Sequence, residues 1–194
     1  MSPVPVYARH TLVATQVVFF ACVVGCVLVD PSNQAELYGI SYYGVHAPTL
    51  PLVAIGYGVG ALGMWRTASY LSSLDVSAFV APGLRVVALA LPLELLTPFN
   101  HGSFFNWTHM AIGIVIGVTQ MVTGTLLALR QPRPATFFVF LVQLIGGLLA
   151  AASLPDWGFN HMLEGEVIFE VGFSWCLVMW TYVAPAKKES WANL

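Results

Sequence analysis

Two carboxyls are flanked in sequence by apolar residues on both sides. Glu94 lies in Ala90-Leu91-Pro92-Leu93-Glu94-Leu95-Leu96, and Glu170 lies in Glu166-Val167-Ile168-Phe169-Glu170-Val171-Gly172-Phe173. Placing an ionisable side chain at the centre of a bilayer helix costs about 2.5–3.5 kcal/mol, so each acid must be explained by a partner, a cavity or a reaction. Pro92 has no N–H to give the carbonyl of Ala88, so a kink and a polar notch are expected just before Glu94. Glu166 and Glu170 are one helical turn apart and share a face. Two carboxyls close together in a low dielectric favour one of them keeping its proton. Glu94 and Glu170 are therefore expected to be catalytic acids, with Glu166 and His161 as further catalytic candidates. The plainer alternative is that each acid satisfies backbone carbonyls or Gln, Thr and His partners on neighbouring helices.

Histidines gather in the loops beside these acids: His101 in Asn100-His101-Gly102-Ser103, His109 at the end of Asn106-Trp107-Thr108-His109, and His161 within the segment 156–164. His161 and Glu164 have the i,i+3 spacing that can bring two metal ligands together on a helix. A catalytic metal needs three ligands and an open position. The chain has no His-x-x-x-His, no His-Glu-x-x-His and no cysteine pair outside apolar runs. No metal and no cofactor is expected. The aromatic share is 13%, and Tyr42, Tyr43, Phe99, Phe105, Trp157, Phe169, Phe173 and Trp175 are expected to line a substrate pocket with Asn100, His101 and His109. Their ring faces would stabilise a cation, although core packing uses the same residue types.

The elements that must position these groups follow from the composition. The chain has 194 residues, 58% apolar and 8% charged, with a mean hydropathy of +0.78, far from the roughly 25% charged residues of a soluble domain. Seven Lys+Arg against nine Asp+Glu leave no basic surplus to neutralise phosphates, which excludes a nucleic-acid partner. Cys22, Cys26 and Cys176 all sit in apolar runs and read as small buried hydrophobes.

A bilayer crossing takes about 20 apolar residues. Such stretches occur at roughly 11–30, 48–70, 78–98, 107–129, 135–154 and 166–184, separated by prolines and polar turns. The expectation is an all-α, polytopic membrane protein: one domain, a compact bundle of six or seven transmembrane helices. The first run is read as a retained span rather than a cleaved signal. In a six-span threading Arg9, Arg66, Arg85, Arg130, Arg133, Lys187 and Lys188 all fall on one side, which places both termini in the cytoplasm, in a bacterial membrane. Asp30, Glu36, Asp156, Glu164 and Glu166, with Glu94 just inside the membrane, and four of the five histidines fall at the opposite face. Gly56-x-x-x-Gly60 and Gly113-x-x-x-Gly117 are expected to let helices approach closely.

In size, span number and buried carboxylates without a metal, the chain resembles the integral-membrane terpene cyclases of meroterpenoid and drimentine-type biosynthesis. The segment Gly39-Ile40-Ser41-Tyr42-Tyr43-Gly44-Val45-His46 and the glycine-rich span after it are also similar to small actinobacterial multi-pass membrane proteins. The first resemblance implies acid-initiated cyclisation of an amphipathic prenylated substrate that enters from the lipid. Two other classes are carried beside it. One is a metal-dependent lipid hydrolase of the ceramidase-like kind on His101, His109, His161 and Glu164; the other is a proton-coupled transporter or a subunit of a membrane complex.

Overall fold

The computed structural model describes residues 6–72, 78–130, 133–154 and 159–183, and among them there is no strand. The chain forms α1 (Val6–Val29), α2 (Ala35–Tyr38), α3 (Ser41–Gly44), α4 (Leu50–Ser72), α5 (Val80–Leu95), α6 (Ser103–Arg130), α7 (Pro134–Ala152) and α8 (Met162–Val183). The all-helical class is as expected. The six longer helices coincide with the six apolar stretches to within a few residues. Three of them, at Arg9–Val29, Ser103–Arg130 and Pro134–Ala152, are long and apolar enough to cross a membrane. Helix α5 has 16 residues, about 24 Å of rise, short of a full crossing. Helices α4 and α8 have the length but carry Arg66 and the three glutamates Glu164, Glu166 and Glu170. Trp157, Lys187 and Lys188 lie outside the described residues.

Short connections make successive helices antiparallel neighbours: α1 packs on α4, α4 on α5, α5 on α6 and α7 on α8, while α8 also reaches α1, α2 and α6. One end of the bundle carries Arg9, Arg66, Arg85, Arg130 and Arg133. The other carries Asp30, Glu94, Glu164 and Glu166. Helix α7 starts sharply because Pro134 follows the extended Arg133 and takes a first-turn position, where its missing N–H costs nothing. Helices α1 and α8 are tied by polar groups inside the apolar interior. Ser174 Oγ donates to Gln16 Oε1 at 2.6 Å, and Arg9 Nε donates to the carbonyl of Thr181 at 3.2 Å.

Helices α7 and α8 touch backbone to backbone. A Cβ on Gly146 would overlap the backbone of Phe169 and Gly165, one on Gly165 the backbone of Ala150, and one on Gly172 the backbone of Gln143. Adding volume to so tight a contact forces backbone shifts that cost about 1–3 kcal/mol or more. The glycine pairs singled out in the sequence do less. Gly56 seats Cys22 of α1, whose Cβ lies 3.1 Å from where a Gly56 Cβ would be, but Gly60 stands in ordinary contact and Gly117 has nothing within 4 Å. A G-x-x-x-G spacing reports that two glycines share a face, and not that another helix covers it.

Residues 31–47 lie between the first two apolar stretches. They fold as the one-turn helices α2 and α3, laid over the acid-bearing end. Thr49 Oγ1 donates to the Tyr43 carbonyl at 2.8 Å, Tyr42 Oη donates to Asp30 Oδ2 at 3.2 Å, and Tyr38 stacks on Phe99 with centroids 5.1 Å apart. Between the two turns Gly39 has φ 65° and ψ −153°, a region essentially confined to glycine.

Candidate functional site

Glu94 sits in the last turn of α5. The helix runs through Pro92 and stops at Leu95, earlier than the apolar stretch suggested, and its final carbonyls are taken by Leu96 N on Pro92 O at 3.1 Å and Thr97 N on Glu94 O at 3.2 Å. The side chain points inward, and the residue is only 9% exposed. Three elements converge on its carboxyl. From α3, Ser41 Oγ stands 3.5 Å from Glu94 Oε1; from α6, His109 Nε2 stands 3.6 Å from the same oxygen; from α4, the phenol of Tyr57 lies against it. Gly113, one turn after His109, leaves room there, since a Cβ would sit 3.5 Å from Glu94 Oε1.

The proton inventory of this cluster follows from its partners. His109 Nδ1 faces two backbone carbonyls, Thr97 O at 2.9 Å and Glu94 O at 3.2 Å. Carbonyls only accept, so Nδ1 carries hydrogen, and in a neutral ring Nε2 is the acceptor. Ser41 Oγ, 2.8 Å from Nε2, then gives its only proton to the imidazole. Its lone pairs face Glu94, which can fill them by being protonated. The other arrangement has Nε2–H donating to Ser41 Oγ, with the imidazolium facing a Glu94 carboxylate. Moving one proton along Glu94, Ser41 and His109 converts one arrangement into the other.

A crevice opens on this cluster, lined by Ser41, Gly44, Val45, Val53, Tyr57, Glu94, Leu95, Pro98 and His109, with about 230 Å³ of empty space that includes its open side. Its enclosed part is about the size of one water. Glu94 and His109 are the two sequence candidates that line it. Ser41 and Tyr57 were missed. Tyr57 lies between Gly56 and Gly58, and a phenol within a glycine stripe was the available signal; Ser41 had none, since its role depends on how α3 folds back.

The other acids are held differently. Glu166 is half-buried, and its Oε2 accepts the backbone N–H of Ile40 at 2.7 Å. Glu170 Oε2 accepts from Gln120 Nε2 at 3.0 Å, and Gln143 Nε2 in turn donates to the carbonyl of Gln120 at 3.1 Å. Gln120 and Gln143 are almost fully buried, and Oε1 of each has no hydrogen-bond partner. The crevice takes Glu94 and leaves Glu170 between α6 and α8.

His161 lies at the exposed start of α8. Its Nδ1 is 3.3 Å from Glu164 Oε1, and the two side chains are 56% and 46% exposed. Among the described residues no three His, Cys, Asp or Glu come close enough together to hold a metal ion, so His101, His109, His161 and Glu164 do not converge. The aromatic candidates divide. Phe99 is half-buried between Tyr38 and His109, its centroid 5.8 Å from the imidazole. Tyr42, Tyr43, Phe169 and Phe173 are buried in packing, and Phe105 lies half-buried beside the exposed His101. Asn100 is exposed, and so is Trp175, because position 175 falls off the buried stripe of Phe169, Gly172, Phe173, Cys176 and Trp180. Comparison of the chain with protein families, curated proteins and solved structures finds no match, so the case for function rests on the geometry of Glu94, Ser41 and His109.

Proposed function

We propose that this protein is a membrane-embedded acid–base enzyme that acts on an amphipathic, prenylated substrate delivered from the lipid, by the acid-initiated cyclisation typical of the membrane terpene cyclases it resembles. The carrying observation is the buried Glu94 joined through Ser41 to His109 at a crevice. Protonated Glu94 gives its proton to a terminal alkene or epoxide of the prenyl chain; a C–H or O–H bond forms as the π or C–O bond breaks. The resulting cation closes rings, with the Tyr57 face beside it, and loses a proton to form an alkene. That proton returns through His109 and Ser41 to Glu94, so no net proton is consumed. Glu170, Glu166 and His161 then serve as surroundings of this centre rather than as the initiating acid.

In the same reading the six longer helices are embedded in a bacterial cytoplasmic membrane, with the arginine-bearing end and both termini on the cytoplasmic side, as basic residues prefer. A cysteine placed at Ser32 or Ser103 is then labelled from outside intact cells by a reagent that cannot cross the membrane, and one at Ser72 is not.

The deciding experiment is turnover in lipid nanodiscs of a farnesylated phenol and its terminal epoxide, with products separated by mass spectrometry. The wild type should give cyclised isomers, and Glu94→Gln should give at least about 100-fold less at equal thermal stability. One observation favours a second reading, proton-coupled translocation: the enclosed part of the crevice is water-sized. Vesicles loaded with a pH-sensitive dye separate the two. Glu94-dependent proton flux, with no cyclised product from either substrate, would replace the enzyme with the transporter.

A further inference from the structure

We propose that Glu166 is a positioning residue: its carboxylate fastens the α2–α3 segment across the acid-bearing end by accepting the Ile40 N–H, and so sets Ser41 between Glu94 and His109. The proposal rests on the reading of those three residues as the proton-transfer site. Ile40, Tyr42 and Tyr43 pack the segment into the core and Thr49 Oγ1 bonds the Tyr43 carbonyl, while two holds flank Gly39 beside the crevice. On one side of Gly39, Tyr38 stacks on Phe99; on the other, Ile40 N meets Glu166 Oε2 at 2.7 Å. At 2.7 Å the bond is at the short end for an N–H donor and an oxygen acceptor. The glycine between the two holds is required twice over. Its φ of 65° and ψ of −153° suit no other residue, and a Cβ there would run into the Glu166 carboxyl.

Ser41 follows Ile40 directly. Its hydroxyl reaches His109 Nε2 at 2.8 Å and faces Glu94 Oε1 at 3.5 Å, so a shift of one ångström in Ile40 carries the link between acid and base out of range. Helix α8 contributes no residue to the crevice lining. Glu166 acts on the site from behind, through backbone, and its Oε2 need only accept.

That requirement gives a test independent of turnover. A thiol placed by Gly44→Cys lies beneath the segment, where a Cβ meets Leu95 and Val53 at 3.6 and 3.8 Å. The native Cys22, Cys26 and Cys176 are buried and report unfolding. In nanodiscs, the labelling rate of this thiol by a membrane-impermeant maleimide reads whether the segment stays down. Glu166→Ala should raise it about tenfold or more, the factor expected for losing one such bond. Ile40→Pro removes the donor together with the buried Ile40 side chain, in a backbone of φ −62° and ψ −29° that proline accepts, and should raise the rate at least as far. Glu166→Gln keeps an acceptor and should restore the slow rate to within about twofold.

Parent-like labelling in both Glu166→Ala and Ile40→Pro overturns the proposal, as does Glu166→Gln labelling as fast as Glu166→Ala. Should Glu166→Ala also expose the native thiols, Ile40→Pro, with Glu166 intact, decides. Glu94→Gln should leave the labelling slow. If that variant still turns over substrate while Glu166→Ala opens the segment, the enzyme reading fails and the fastening stands.

Discussion

Glu94 and Glu170 are two acids of one bundle with opposite company. Glu94 meets a serine and a histidine, groups that can pass a proton, and it borders a crevice. Glu170 meets Gln120, backed by Gln143, and amides at neutral pH give hydrogen bonds without giving up protons. Similar letters in apolar sequence thus acquire different chemistry from what neighbouring helices supply. An acid's burial says that it matters; its partners say whether it can react.

The largest expected effect sharpens that contrast. Glu94→Gln keeps the shape and loses the transferable proton, so turnover of the farnesylated substrates should fall by at least about 100-fold with thermal stability near wild type. Parent-like turnover in this variant would erase the distinction between the two acids. His109→Gln should come next, at about tenfold to 100-fold, because it removes the base while the amide can still bond to Thr97 O. Glu170→Gln should cost less than about tenfold in turnover, since an amide oxygen accepts from Gln120 as a carboxylate does. A loss as deep as that of Glu94→Gln would put Glu170 back among the reacting groups. On stability, Gly146→Val should lower the melting temperature sharply, consistent with about 1–3 kcal/mol or more from a forced α7–α8 separation, whereas Gly117→Ala, facing open space, should be nearly silent. The smallest effects belong to the exposed pair: His161→Ala and Glu164→Gln should change stability by no more than about 0.5 kcal/mol and leave turnover unaltered, with or without a chelator. Loss of turnover on chelation, with His161→Ala the most damaging change, would restore the lipid-hydrolase alternative.

The apolar runs were enough to place the longer helices, because about 20 residues without charge have few other fates. They did not reveal that α5 stops at Leu95 or that, among the described residues, three helices combine full length with full apolarity. Glu94 and His109 were visible as types, the first by its apolar surroundings and the second as one of several histidines. Their pairing was not visible, since it depends on α5 ending where α6 begins its second turn. Ser41 was beyond reach for the same reason: a serine in an apparent loop becomes a relay only once Gly39 turns the chain back over the bundle. The α7–α8 contact was missed because Gly165 and Gly172 are seven residues apart, on one face but outside the four-residue spacing that was sought.

The bond from Ser174 to Gln16 and that from Arg9 to Thr181 join the earliest long helix to the last. During synthesis α1 is made well before its partner exists, and the Gln16 amide must find other hydrogen-bond partners until then. Glu166 rides on that same late helix, so the α2–α3 segment cannot be fastened until α8 has docked. Under the proposed function assembly therefore has an order: the acid site becomes competent when α8 docks, and a nascent chain halted before α8 carries Glu94 without the geometry that would let it act.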